Sequence, residues 1–261
     1  MWDKDQLRAM HWDTPDESII AKEKDFIKGE FFAGELRLPY RLFIPKLRVK
    51  MPLVLYLHGA DDRWDDNVYH MTHHENACVF AMDSWQVRHT CFVLAPHCPE
   101  KKFWEQDDMK AALKGLLDEI LAKYNYADER RVFIYGNSMG GVGTYAMIKQ
   151  YPGFFARALA ICGTTDGKNL DALMQIPLVL AHAEDDKIVK PINYYALTGQ
   201  EFLGSFALYD TLRKMGKQDI YLKKYPAGTM MKDYGINPHC SWYPALRNDI
   251  VKDWFFGNSL G

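Results

Sequence analysis

The sequence predicts an α/β fold with a mostly parallel central sheet and helices on both faces. Short apolar runs alternate with segments of helical periodicity along most of the chain. The runs are continuous rather than alternating, as expected of parallel strands covered on both sides. No repeat, low-complexity tract or Ser/Gly linker divides the 261 residues, so a single domain over 1–261 is expected.

Asp25 to Phe32 and Glu35 to Ile44 are expected as an antiparallel pair turning at Ala33-Gly34, which makes 1–50 an antiparallel N-terminal region. Leu53 to Leu57 and Cys91 to Ala95 are read as buried strands. Asp107 to Tyr124 is a helix, because Met109, Leu113, Leu116, Leu117, Ile120 and Leu121 recur near helical spacing with charges between them. Val132 to Tyr135 is a strand ending at Gly136. Met139 to Gln150 is a helix that opens on glycines and stops before Tyr151-Pro152. Strands follow at Ala158 to Cys162, Leu178 to Ala181 and Ile220 to Tyr225. Between the last two, Phe202 to Met215 is a helix capped by Gly216, and 190–215 is a possible small cap. Asn248 to Phe256 is the last helix.

Composition removes several function classes. A net charge of −2 gives no electrostatic footprint for nucleic acid. No apolar stretch approaches the roughly 18 residues of a membrane span. Met1 to Met10 carries Asp3, Lys4, Asp5 and Arg8 and lacks the apolar run of a secretory signal, so a cytoplasmic location is expected, with a removed leader as the alternative. The five cysteines, Cys78, Cys91, Cys98, Cys162 and Cys240, are odd in number and without CxxC spacing, which predicts free thiols rather than disulfides or structural zinc. His70, His73, His74 and Glu75 form an H-x-x-H-H-E run without HExxH, and no metal or other cofactor is expected.

Gly136-Asn137-Ser138-Met139-Gly140 fits G-x-S-x-G, between an apolar strand and a helix. A glycine-rich turn without chemistry could carry the same letters, but this context is what a nucleophile elbow requires. The serine sits on a strained turn, so its flanks must be small, and the helix N-terminus favours developing negative charge. Leu57-His58-Gly59-Ala60 follows the first buried strand. Acyl transfer needs two N–H donors at the tetrahedral oxygen, and those of Ala60 and Met139 are the candidates for the oxyanion hole. His58 is expected to hold its loop by hydrogen bonds.

With an elbow of this type the triad runs serine, acid, histidine along the chain. The loop after Leu178 to Ala181 offers Glu184, Asp185 and Asp186 as acids, and Asp166 is an outside candidate. Only His239 follows all of them, in a turn-rich loop between the last strand and the last helix.

These segments resemble the serine esterases related to feruloyl esterases and polyhydroxybutyrate depolymerases. Tyr56 to Asn67 is similar to that family's HGAGERGxDN loop, departing from it at Asp61, Asp62 and Trp64. Ala95-Pro96-His97-Cys98-Pro99 with Trp104 resembles its APQCP…W segment. Gly136 to Thr144 matches its elbow. His182 to Val189 resembles HGxxDxxV, and His239 to Trp242 its HxxW ending. The likeness covers about Leu42 to Phe255. It implies the α/β-hydrolase fold, Asp186 as the acid, and hydrolysis of a small-molecule carboxylic ester, with feruloyl and acetyl esters as the candidates.

The expected reaction passes through an acyl-enzyme. His239 takes the Ser138 proton during attack, Asp186 holds the imidazole, and water then releases the acid. Trp64, Trp104 and Trp242 are candidate substrate contacts, because aromatic walls suit a phenolic acyl group or a sugar, with ordinary anchors of their loops as the alternative reading. A serine peptidase of the prolyl oligopeptidase type and a non-catalytic binding protein on the same fold are the alternatives.

Overall fold

The computed structural model describes residues 13–63, 67–196 and 198–257. Its centre is an eight-stranded sheet in the order β1-β2-β4-β3-β5-β6-β8-β11. The strands are β1 (Phe26–Ala33), β2 (Leu36–Phe43), β3 (Met51–Leu57), β4 (Phe92–Pro96), β5 (Ala127–Asn137), β6 (Arg157–Ile161), β8 (Leu178–Ala183) and β11 (Ile220–Tyr225). β1 and β2 form an antiparallel hairpin, and β2 lies antiparallel to β4. From β4 to β11 every pairing is parallel. The hairpin turns on Gly34 at φ 62°, a left-handed conformation that costs glycine little.

β3, β4 and β8 are buried along their whole length, which is why they read as unbroken apolar runs. Alternate side chains feed two cores. Leu53, Leu55 and Leu57 of β3 face one, with Met109, Leu113 and Leu116 of the helix Asp107–Lys123. Val54 and Tyr56 face the other, with Phe80, Val251 and Phe255. A fully buried Leu or Phe contributes about 2 kcal/mol relative to an exposed one, so covering both faces strongly favours the layered arrangement.

One expected helix starts later than predicted. Glu201–Gly204 is β10, which pairs with β7 (Thr164–Asp166) and β9 (Asn193–Tyr195) in a three-stranded antiparallel sheet, and the helix runs only over Ser205–Lys214. A Cβ at Gly204 would stand 2.0 Å from the Lys190 carbonyl oxygen, a backbone approach that marks the switch from strand to helix. The helix buries Leu208 and Leu212 and covers the main sheet, so of 190–215 only β9 and β10 belong to the small sheet. Among the described residues, no helix is long and apolar enough to cross a membrane.

The loops that leave β3, β5, β8 and β11 all emerge at the carboxyl edge of the parallel strands. Register explains their convergence. Leu57 pairs with Gly136, Asn137 with Ile161, Ile161 with Ala181, and Ala183 with Tyr225. Ligand and catalytic sites of open α/β sheets form at this edge.

Candidate active site

Ser138 stands between β5 and the helix Met139–Gln150 with φ 55° and ψ −119°. A non-glycine residue in that region costs about 1–3 kcal/mol and persists only where its surroundings hold it. The hold is visible. The Ser138 N–H donates to the Ile161 carbonyl (3.0 Å), and the Ser138 carbonyl accepts from Val142 N–H (3.0 Å). Gly140 lets the helix come down on the end of β3, since a Cβ there would lie 1.8 Å from the Leu57 carbonyl oxygen and 2.9 Å from that of His58. Gly140→Ala is therefore expected to destabilise the fold by about 1–3 kcal/mol, read as a fall in the urea midpoint. Gly167→Ala places the same methyl where nothing lies within 4 Å and is expected to stay within about 0.5 kcal/mol of wild type. Equal midpoints for the two variants would contradict this account of the elbow.

Three side chains meet above the sheet edge. The Ser138 hydroxyl lies 2.9 Å from His239 Nε2, and His239 Nδ1 lies 2.7 Å from Asp186 Oδ2. A carboxylate can only accept, so Nδ1 carries the proton and the Nε2 lone pair faces the hydroxyl. Asp186 follows β8. Its Oδ1 accepts from the N–H groups of Ile188 (2.8 Å) and Val189 (3.1 Å), and its Oδ2 also meets His182 Nε2 at 3.1 Å. Burial opposes ionisation of this carboxyl. The charge of His239 and the hydrogen bonds from His182 and His239 outweigh it and hold the group well below the usual carboxylate range. The neighbouring acids turn elsewhere. Asp185 Oδ2 accepts from Gly228 N–H, Glu184 accepts from Ala227 N–H, and Asp166 pairs with Lys149. His239 sits in the 3-10 turn Pro238–Cys240, where Asn237 accepts its N–H at 2.9 Å.

The loop after β3 is tightly anchored. His58 is fully buried. Its Nε2 accepts from Cys98 N–H (2.9 Å), so its Nδ1 donates to the Gly59 carbonyl (2.7 Å). Burial, with the charge of His97 added, pushes its pKa down to about 3, so it stays neutral and serves as a brace. Arg63 donates to the Ala60 carbonyl (2.9 Å) and to the carbonyls of Glu100 and Lys102, tying this loop to the one after β4. Met139 is the first residue of its helix, so its N–H has no carbonyl four residues back to bond. It and the Ala60 N–H, on the loop packed against the elbow, remain the candidate oxyanion donors.

The tryptophan expectations need correction. Trp104 is fully buried, and its indole N–H donates to the His58 carbonyl (3.0 Å). Trp242 is buried too, donates to Asp13 Oδ1 (3.1 Å), and stands edge-on to His239 with centroids 5.3 Å apart. Both side chains are packed inside the protein rather than exposed at the site, as loop anchors would be. Each braces a functional loop, because a loop position says nothing about which way a large side chain packs. Trp64 lies outside the described residues. His182 makes the hydrogen bonds at the sheet margin that its sequence position suggested, and Arg63 is a support that sequence reasoning did not assign. Their partners, Ser205 and Val189 for one and the Glu100 and Lys102 carbonyls for the other, become neighbours only in the fold.

The prolyl oligopeptidase family matches residues 100–197, a stretch that holds Ser138 and Asp186. No curated protein sequence matches the chain. Among solved structures, a thermostable esterase is similar at 34% identity and a TM-score of 0.80 over 90% of this chain. The chain spans 64% of that esterase's length, less than two thirds. An acylaminoacyl peptidase of Pyrococcus horikoshii aligns with 100% of this chain and 45% of its own at a TM-score of 0.63 and 16% identity. A ferulic acid esterase aligns over 88% of this chain and 98% of its own at a TM-score of 0.58 and 15% identity. At those identities the last two speak for the fold alone. The sheet order, the elbow and these likenesses together give the chain the α/β-hydrolase fold.

Proposed function

We propose that this chain is a serine hydrolase that cleaves small-molecule carboxylic esters through an acyl-enzyme. The observation that carries the reading is the unbroken chain of hydrogen bonds from Ser138 through His239 to Asp186. Ser138 Oγ attacks the ester carbonyl while its proton passes to His239 Nε2. Asp186 stabilises the imidazolium and keeps the ring oriented. The Ala60 and Met139 N–H groups hold the oxyanion, a kind of donor whose loss typically costs about a hundredfold or more in rate. His239 Nε2–H then protonates the leaving alcohol. A water molecule gives its proton to the same nitrogen, its oxygen bonds to the acyl carbon, and the acid departs as the proton returns to Ser138.

The thermostable esterase, at 34% identity, supports ester over amide chemistry. The match to the prolyl oligopeptidase family favours a second reading, a serine peptidase. Acetyl and feruloyl esters are the acyl classes within the proposal. All five cysteines are free and buried, which suits a reducing compartment and supports a cytoplasmic location.

Turnover of p-nitrophenyl acetate, methyl ferulate and the matched anilide of acetate tests the reading. We expect kcat/KM for the acetate ester to exceed that for the anilide by at least about a hundredfold, a difference of about 2.7 kcal/mol in transition-state stabilisation. Comparable rates on ester and anilide would favour the peptidase. No turnover of any of the three would overturn the proposal.

A further inference from the structure

We propose that Asp61, His73 and His74 form a binding site for one divalent transition-metal ion of the zinc class. The His70–Glu75 run alone does not give such a site. His70 turns to the Ala95 carbonyl, and Glu75 pairs with Arg247 and accepts from Asp16 N–H. The fold supplies the missing donor from elsewhere, bringing Asp61 of the loop after β3 against His73 and His74 at the end of the short helix Tyr69–Thr72. Each of the three offers one donor atom, all within 4.8 Å of one another. His74 Nε2 is 3.6 Å from Asp61 Oδ2. Two donors on one tetrahedral zinc, each about 2.0–2.2 Å from the ion, stand only slightly closer than this.

The surroundings are those of a built site. His73 Nδ1 lies 2.8 Å from Asp62 Oδ1, and His74 Nδ1 lies 2.8 Å from Asp13 Oδ1. Each imidazole thus has its Nδ1 on a carboxylate, which orients the ring and makes Nε2 a stronger donor. This carboxylate–histidine pairing is the usual outer support of a metal-ligating histidine. Asp13 is itself fixed by the Trp242 indole.

A second observation points the same way. Asp61 Oδ2 and Asp62 Oδ2 are sealed from solvent and have no hydrogen-bond partner among the described residues, and the Asp62 side chain is fully buried. A buried carboxylate oxygen left without a donor is costly, and a cation relieves that cost. Imidazole with carboxylate favours zinc and its neighbours in the transition series over magnesium or calcium. Three protein donors leave the fourth tetrahedral position to water.

The ion would join the loop that carries Ala60 to the segment under Trp242, whose ring lies 5.0 Å from His74 and 5.3 Å from His239. The full chain, stripped with chelator and dialysed, is titrated with zinc chloride by calorimetry, and bound zinc per chain is measured by atomic emission after gel filtration. We expect one zinc per chain and a melting temperature that rises with free zinc. Asp61→Asn and His73→Ala are each expected to weaken binding by at least about tenfold, and Asp62→Asn by about 10–100-fold through the loss of its hold on His73. Ser138→Ala is expected to bind zinc like wild type, which separates this result from the fate of the esterase proposal. Circular dichroism checks the fold of each variant; should His73→Ala unfold, the nearly isosteric Asp61→Asn decides. No bound zinc in wild type, or undiminished binding in folded Asp61→Asn, overturns the proposal.

Discussion

Ser138→Ala is expected to lower kcat for p-nitrophenyl acetate by about a millionfold, the scale on which a triad nucleophile is lost. His239→Ala is expected to fall as far, and the double variant no further, because hydroxyl and imidazole act as one unit across their 2.9 Å contact. A residue of catalysis above water survives such losses where the oxyanion donors are intact. Melting temperature is the control. The elbow at Ser138 is held by backbone bonds to Ile161 and Val142, which the alanine leaves in place, so the fold should persist. Initial rates within tenfold of wild type in Ser138→Ala would remove the nucleophile from the proposal.

The second large effect separates adjacent acids. Asp186→Asn is expected to lower kcat by about ten-thousandfold with little change in KM, whereas Asp185→Asn should remain within a few-fold of wild type. The physical reason is the proton on His239. Asp186 Oδ2 accepts it at Nδ1, and an amide presenting its own N–H there would force the opposite tautomer, turning the wrong nitrogen towards Ser138. Asp185 instead accepts from Gly228 N–H at the rim of the loop, away from the imidazole. Single-turnover kinetics on the two variants gives the comparison directly, and equal losses would mean that the loop rather than the carboxylate sets the rate.

Most of the main sheet was legible in the sequence for one reason. A parallel strand covered on both faces is largely apolar, so β3, β4 and the Leu178 to Ala181 stretch of β8 announce themselves as continuous runs. The strained turn at Ser138 was legible because it tolerates so few side chains, and the place of His239 beside it followed from chain order. The choice between Asp185 and Asp186 needed a family likeness, since adjacent acids on a loop differ only in which way the backbone points them. The small sheet escaped notice because β7 and β9 are three residues long, too short to show a period. Phe202 to Met215 looked like one helix because apolar residues continue through Gly204, where only tertiary contact marks the break. Trp104 and Trp242 were misplaced for a related reason. Their indole N–H groups find acceptors, the His58 carbonyl and Asp13, that lie 46 and 229 residues away along the chain. The Asp61, His73 and His74 grouping was hidden in the same way, its donors being split between a loop and a helix end.

The contacts among Ser138, Asp186 and His239 span 101 and 53 residues of chain. Each of the three belongs to a different strand end, so no fragment that forms early and locally can contain the working group. A chain that had built β3, β5 and β6 but not yet docked β11 would already present its serine on a finished elbow and still lack a base. The proposed activity therefore depends on contacts that cross 101 and 53 residues of chain, not on the neighbourhood of Ser138 alone. During refolding, esterase activity is expected to appear only after β11 has docked on β8 and brought His239 to the elbow, however early the elbow itself forms.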